Sequence, residues 1–192
     1  MIDLKKVKIL KLAQKYHALQ KRAGNVPYWY HVLSVAEIIQ NAVQKTKEIE
    51  LANLEPILTA AIGHDLYEDT KIERTEIKNL YGEKVDKIIW ELTNEEGSAG
   101  HTKYEEKIRQ SSEEAKLIKL ADLIENTISV AYTIFDLGLK WTDEFYLPIL
   151  ENMKNNVSAD KFKKYRKTAE LLNLELEFSR HRLLENADKY RI

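Results

Sequence analysis

Nowhere in this chain do apolar and polar residues alternate for long enough to build a strand, and only six Gly and three Pro interrupt its 192 residues. Leu, Ile, Lys and Glu recur instead at helical spacing, and such residues lose little on entering a helix. Few breakers with that spacing predict an all-α fold. Apolar residues make up 44% and charged residues 32%, the balance of a chain that folds around a core. The net charge of −1 gives no field suited to nucleic acid or an anionic membrane. Without cysteine, disulfides and thiolate metal sites are excluded, so any metal here must use His, Asp or Glu. The first residues, Met-Ile-Asp-Leu-Lys-Lys-Val-Lys, lack the apolar core of a signal peptide, and no run is long enough for a membrane span. The expected compartment is the cytoplasm.

The spacing of Leu4, Val7, Leu10 and Ala13 predicts a helix over 3–21, followed by a turn at 23–27. Pro27 opens a second helix to about residue 46, with Val35, Ile38 and Ile39 inward. A third is expected from Asn53, as N-cap, to Asp69. Thr75 is read as capping a short helix that Tyr81-Gly82 stops, and another follows over 83–93. Residues 94–101 read as a flexible loop. Ser112, with Glu113 and Glu114 behind it, starts the helix that carries Lys119, Asp122 and Asn126. Helices near 143–155 and 159–188 complete the chain, the last with a stripe of Phe162, Tyr165, Ala169, Leu172 and Leu176. No repeat or linker divides the chain, so one domain is expected over 1–192, with helices from 143 onward packed on it.

The most informative stretch is Ala61-Ile-Gly-His-Asp-Leu-Tyr-Glu-Asp-Thr70. On a helix His64 would lie above Glu68, and Asp65 above Asp69. Such groups at the end of an apolar run are costly to bury unless something neutralises them. Asp122, inside the mostly apolar Ile-Lys-Leu-Ala-Asp-Leu-Ile-Glu-Asn, has the same need. His31, His64, Asp65 and Asp122 therefore form a candidate mixed N/O metal set, better suited to Mn, Fe or Zn than to Ca. Asn126, one turn beyond Asp122, faces the same side and can hydrogen-bond a ligand.

His…His-Asp…Asp resembles the pattern of HD-superfamily metal-dependent phosphohydrolases. The sharper resemblance is to the hydrolase domain of RelA/SpoT-type proteins. It rests on Ala13-x-x-x-His17-x-x-Gln20-x-Arg22, Pro27-Tyr28-x-x-His31, His64-Asp65-x-x-Glu68-Asp69-Thr70, Tyr81-Gly82-Glu83-x-Val85 and Ala115-Lys-Leu-Ile-Lys-Leu-Ala-Asp122-x-x-x-Asn126, in order over roughly 10–150. The length is similar to that of small stand-alone alarmone hydrolases, the metazoan SpoT homologue type among them. The resemblance implies a compact multi-helix HD-domain fold and Mn²⁺ held by His31, His64, Asp65 and Asp122. It implies hydrolysis of the 3′-pyrophosphate of guanosine tetra- or pentaphosphate, (p)ppGpp. Glu68 and Asp69 would handle the attacking water, Arg22 would contact the guanine and Asn126 the ribose. Ser129 would supply a hydroxyl where the family often has Thr. Ala23, Val32 and Ile128 depart from the family pattern, mostly where the nucleotide should bind. Two alternatives stay open: the same chemistry on another nucleotide, such as a deoxynucleoside monophosphate or the NADPH phosphate, and a catalytically silent nucleotide-binding module.

Other conspicuous residues have plainer readings. His17 is expected to order the first turn, His101 and His181 to lie on the surface, and the Trp29-Tyr30 pair to sit in the core. The Lys-rich stretch 161–167 reads as a solvated face.

Overall fold

A computed structural model of the chain describes residues 2–97 and 101–191. Among them no strand forms, and no helix is long and apolar enough to cross a membrane. In order, the helices are α1 (Lys8–Tyr16), α2 (Trp29–Thr46), α3 (Leu51–Gly63), α4 (Leu66–Asp69), α5 (Arg74–Tyr81), α6 (Glu83–Leu92), α7 (His101–Gln110), α8 (Glu113–Tyr132), α9 (Ile134–Leu137), α10 (Leu139–Trp141), α11 (Leu147–Asn156) and α12 (Arg166–Asp188). The all-α expectation holds.

The apolar helix α8 is the axis of the molecule. It packs against α2, α3, α6 and, most extensively, α12. Leu117, Ile118, Leu120 and Ala121 of α8 are fully buried, beside Ile57 and Ile62 of α3 and Val35 and Ile39 of α2. The expected stripe is real: Phe162, Tyr165, Ala169, Leu172 and Leu176 all join this core. A smaller cluster, Val130, Ala131, Ile134, Leu183 and Ala187, joins the far ends of α8 and α12. Ser112 caps α8 as predicted, its hydroxyl accepting the Ala115 N–H at 3.2 Å. Gly82, at φ +86°, closes α5 as its sequence position suggests, a backbone that L side chains rarely adopt.

Several boundaries differ from expectation. The first helix ends at Tyr16, not 21. Gln20 leaves the helical path because its carbonyl accepts the Tyr28 N–H and its amide donates to the Asp69 carbonyl. The N-cap of α3 is Glu50 rather than Asn53, and that of α5 is Glu73 rather than Thr75. The helix expected to run unbroken to Asp69 stops at Gly63 and resumes at Leu66, so the His64-Asp65 pair forms a joint between two helices. Helix α7 was not foreseen, since its polar sequence lacks an apolar stripe. The final helix begins at Arg166, after a 3-10 turn at Ala159–Lys161. Ile38 is half-buried against the core; of the stacked Trp29-Tyr30 pair, Trp29 is half-buried and packs on the core, while Tyr30 is 47% exposed. His181 is exposed, as expected, and so are Lys163, Lys164 and Lys167. The reading of the His101 side chain lies outside the described residues.

Candidate metal centre

Three regions far apart in sequence meet at one point. His31 comes from the first turn of α2, where Pro27-Tyr28 start the helix and the His31 N–H reaches the Tyr28 carbonyl at 2.9 Å. His64 and Asp65 occupy the joint after α3, and Asp122 lies in the buried middle of α8. His31, His64 and Asp122 are buried. Ligand atoms of His31, His64 and Asp65 lie within 4.8 Å of one another. His31 Nε2 is 3.4 Å from Asp65 Oδ2 and 3.3 Å from Asp122 Oδ1. His64 Nε2 is 3.2 Å and 3.7 Å from the same two oxygens.

This donor set fits a divalent cation. His64 Nδ1 is committed to the Ala61 carbonyl at 2.7 Å, which orients Nε2 toward the two carboxylates. That Nε2 is buried yet makes no hydrogen bond. A buried polar nitrogen left so is costly, and a cation among these atoms would satisfy it. Two imidazoles and two carboxylates suit a borderline metal.

The surroundings hold the carboxylates charged. Burial would raise Asp122, but Lys119, 2.8 Å from its Oδ2, and the two histidines hold it well below the usual carboxylate range. Burial also opposes ionisation of Asp65, and His64 and His31 outweigh it. Tyr28 donates to Asp65 Oδ2 at 2.8 Å. Burial would lower His31, while Asp122, Asp65 and Glu125 together push it well above the ordinary imidazole value.

Glu68 and Asp69 stand on α4 at the exposed mouth of the site. The Asp69 N–H reaches the Asp65 carbonyl at 2.9 Å, so this pair keeps helical spacing across the joint. Partial loss of water raises the Glu68 carboxyl, against the Asn94 N–H that donates to its Oε2 at 2.8 Å. Partial loss of water and the Asp65 charge raise Asp69 as well. Two carboxyls raised in this way are candidates to handle a proton.

Arg22 and Asn126 meet on the other side. Arg22 Nη2 donates to Asn126 Oδ1 at 2.8 Å, and Asn126 Nδ2 donates to Asp122 Oδ1 at 2.6 Å. Ser129 is half-buried two turns beyond Asp122, and its hydroxyl takes no part in this chain of bonds among the described residues. His17 is fully buried and stacks on Tyr28 at 4.9 Å between centroids; its Nδ1 lies 2.5 Å from Gln20 Oε1. It orders the turn, as expected.

Sequence reasoning missed Glu125 and the parts played by Tyr28 and Lys119. The available signal was position: Lys119 and Glu125 flank Asp122 at three-residue spacing on one helix, and such neighbours share a face.

Similarity to known proteins follows the same lines. The chain is 31% identical over 122 residues to the guanosine-3′,5′-bis(diphosphate) 3′-pyrophosphohydrolase MESH1 of Drosophila melanogaster, covering 61% of this chain and 64% of that protein. It is 28% identical over 153 residues to the GTP pyrophosphokinase rsh of Brucella suis, 73% of this chain but 19% of that one. The chain thus spans less than two thirds of either relative. The solved structure of a metazoan ortholog of SpoT that hydrolyzes ppGpp superposes with a TM-score of 0.73 at 26% identity, over 90% of this chain and 91% of that one. Residues 7–113 match the family described as "Protein of unknown function (DUF1048)". The chain therefore belongs to that family, and in sequence and fold it is kin to the HD-type alarmone hydrolases.

Proposed function

We propose that this chain hydrolyses the 3′-pyrophosphate of (p)ppGpp to GDP or GTP and pyrophosphate, in the cytoplasm, as one HD-type domain over 1–192. The observation that supports this most is the convergence of His31, His64, Asp65 and Asp122 around a buried His64 Nε2 that lacks a hydrogen bond. These four residues would hold the cation, with Mn²⁺ the reading their mixed N/O chemistry favours. A cation there supplies a Lewis acid for the phosphoryl oxygens.

The remaining steps belong to side chains. Glu68, with its carboxyl raised and fixed by the Asn94 N–H, takes a proton from the attacking water. Asp69 orients that water from the adjacent position. Lys119 keeps Asp122 anionic and fixed. Arg22 offers a flat guanidinium to the guanine, Asn126 faces the ribose, and Ser129 lies along the same face of α8.

The test is incubation with ppGpp and Mn²⁺, reading GDP and pyrophosphate, alongside bound-metal analysis. Asp65→Ala is expected to lose metal and turnover together. Glu68→Ala is expected to keep the metal and lose about 10²–10⁴-fold in kcat. A metal-free Glu68→Ala protein would refute the role given to Glu68. No turnover by metal-loaded protein would refute the alarmone as substrate, and a nucleotide-phosphate panel would then identify the alternative.

A further inference from the structure

Glu125 has no part in the function proposed above, yet it touches both halves of the site. Its Oε2 lies 2.5 Å from His31 Nδ1, the ring nitrogen that faces away from the carboxylate pair. The same oxygen is 3.3 Å from Arg22 Nη2. The contacts close a circuit: Glu125 to His31, His31 to Asp122, Asp122 to Asn126, Asn126 to Arg22, and Arg22 back to Glu125. All five side chains are largely shielded from water, His31 most of all at 2% exposed.

We propose that Glu125 is a positioning residue: by accepting the Nδ1–H of His31 it fixes that ring's tautomer and orientation, so that Nε2 presents its lone pair to the metal. An ionised carboxylate can only accept, so the proton of this bond sits on Nδ1. A histidine with its proton placed on one nitrogen offers the other as a ligand, and carboxylate partners of this kind raise ligand basicity. Arg22 partly neutralises Glu125, so the carboxylate need not itself be drawn to the cation. The circuit also explains why Arg22 is held in place rather than extended into solvent: its guanidinium is clamped by two neighbouring residues of α8.

This inference rests on reading His31 as a metal ligand, and the experiment separates the two. Mn²⁺ alone is titrated into the full chain and followed by electron paramagnetic resonance of the free ion, for the parent, Glu125→Gln and Glu125→Asp. Gln keeps the reach and the accepting oxygen but not the charge. Asp keeps the charge but falls one methylene short of Nδ1. Positioning through the hydrogen bond predicts that Gln binds Mn²⁺ within about threefold of the parent, while Asp loses about tenfold or more. Asp binding as tightly as the parent, or Gln binding more weakly than Asp, would overturn the proposal, because the charge and not the bond would then matter. A parent chain that binds no Mn²⁺ would overturn the metal reading and this inference with it. Both variants keep a polar side chain of similar size, and thermal melts alongside the titrations check that they fold.

Discussion

Gly63 separates the fully buried end of α3 from the His64-Asp65 joint, and replacing it with alanine probes how tightly the site is framed. A Cβ built there would lie 2.7 Å from Ile9 Cδ1 and 2.8 Å from Ile89 Cδ1, with Leu66 Cδ1 at 3.4 Å. The first two distances are too short for non-bonded carbons. Both isoleucines have no exposed surface, so neither methyl can swing into solvent. Relief must come from strained rotamers of Ile9 and Ile89 or from α1 and α6 moving away from α3, and overpacking of this kind costs about 1–3 kcal/mol. Alanine's helix preference returns up to about 1 kcal/mol, less at a terminal position. The net loss is about 1–2 kcal/mol, which for a chain of this size lowers Tm by about 2–8 °C. The assay is thermal denaturation followed by circular dichroism, within a double-mutant cycle with Ile9→Val, which deletes the closest methyl. Alone, Ile9→Val should cost about 0.5–1.5 kcal/mol. In the Gly63→Ala background it should cost less or restore stability, with an interaction energy of about 1 kcal/mol. A Gly63→Ala protein as stable as the parent, or an Ile9→Val cost identical in both backgrounds, would refute the reasoning. Because His64 follows directly, Mn²⁺ affinity should fall with stability in the single variant and recover in the double.

Other consequences can be checked in the same way. Asp86 accepts two bonds from Arg74 at 3.0 and 2.8 Å and one from the Tyr67 hydroxyl at 2.8 Å, and the Arg74 bonds chiefly hold its carboxyl below the usual range. A depressed folded value means that this stability is present above the unfolded value of about 3.9 and is lost as pH falls through the lower folded value. Asp86→Asn should therefore lower stability by about 1–3 kcal/mol at pH 7, and the gap to the parent should close as urea melts are repeated toward acid pH. Ser112→Ala removes the α8 cap and the hydroxyl that donates to Glu91 Oε2 at 2.5 Å, and it should cost about 1 kcal/mol in the same melts. An unchanged midpoint would show that Glu91 or water replaces the cap.

Most helices were legible because they depend on neighbours in sequence. The Ser112 cap of α8, the Gly82 stop and the part of the stripe on α12, Ala169, Leu172 and Leu176, are local patterns that appear where expected. The boundaries that moved did so for non-local reasons. Gln20 leaves α1 to bind Tyr28 and Asp69, forty-nine residues away in the latter case. Helix α7 forms without an apolar stripe: Ile108 is its fully buried anchor, and Tyr104 reaches the Leu92 carbonyl at 2.8 Å.

The same division runs through the site. Sequence alone offered His31, His64, Asp65 and Asp122 as a set that could converge, with the cost of burying bare charges as the argument at His64-Asp65 and Asp122. It also excluded thiolate ligands and strands, since those depend only on which residues are present and how they are spaced. Tertiary structure decided the rest. The Glu125 carboxylate shared by His31 and Arg22, and the Arg22 bond to Asn126, depend on how α2 and the turn before it pack on α8. Hydrogen bonds act over about 3 Å, and only packing sets which groups come that close when they stand 94 or 104 residues apart in the chain.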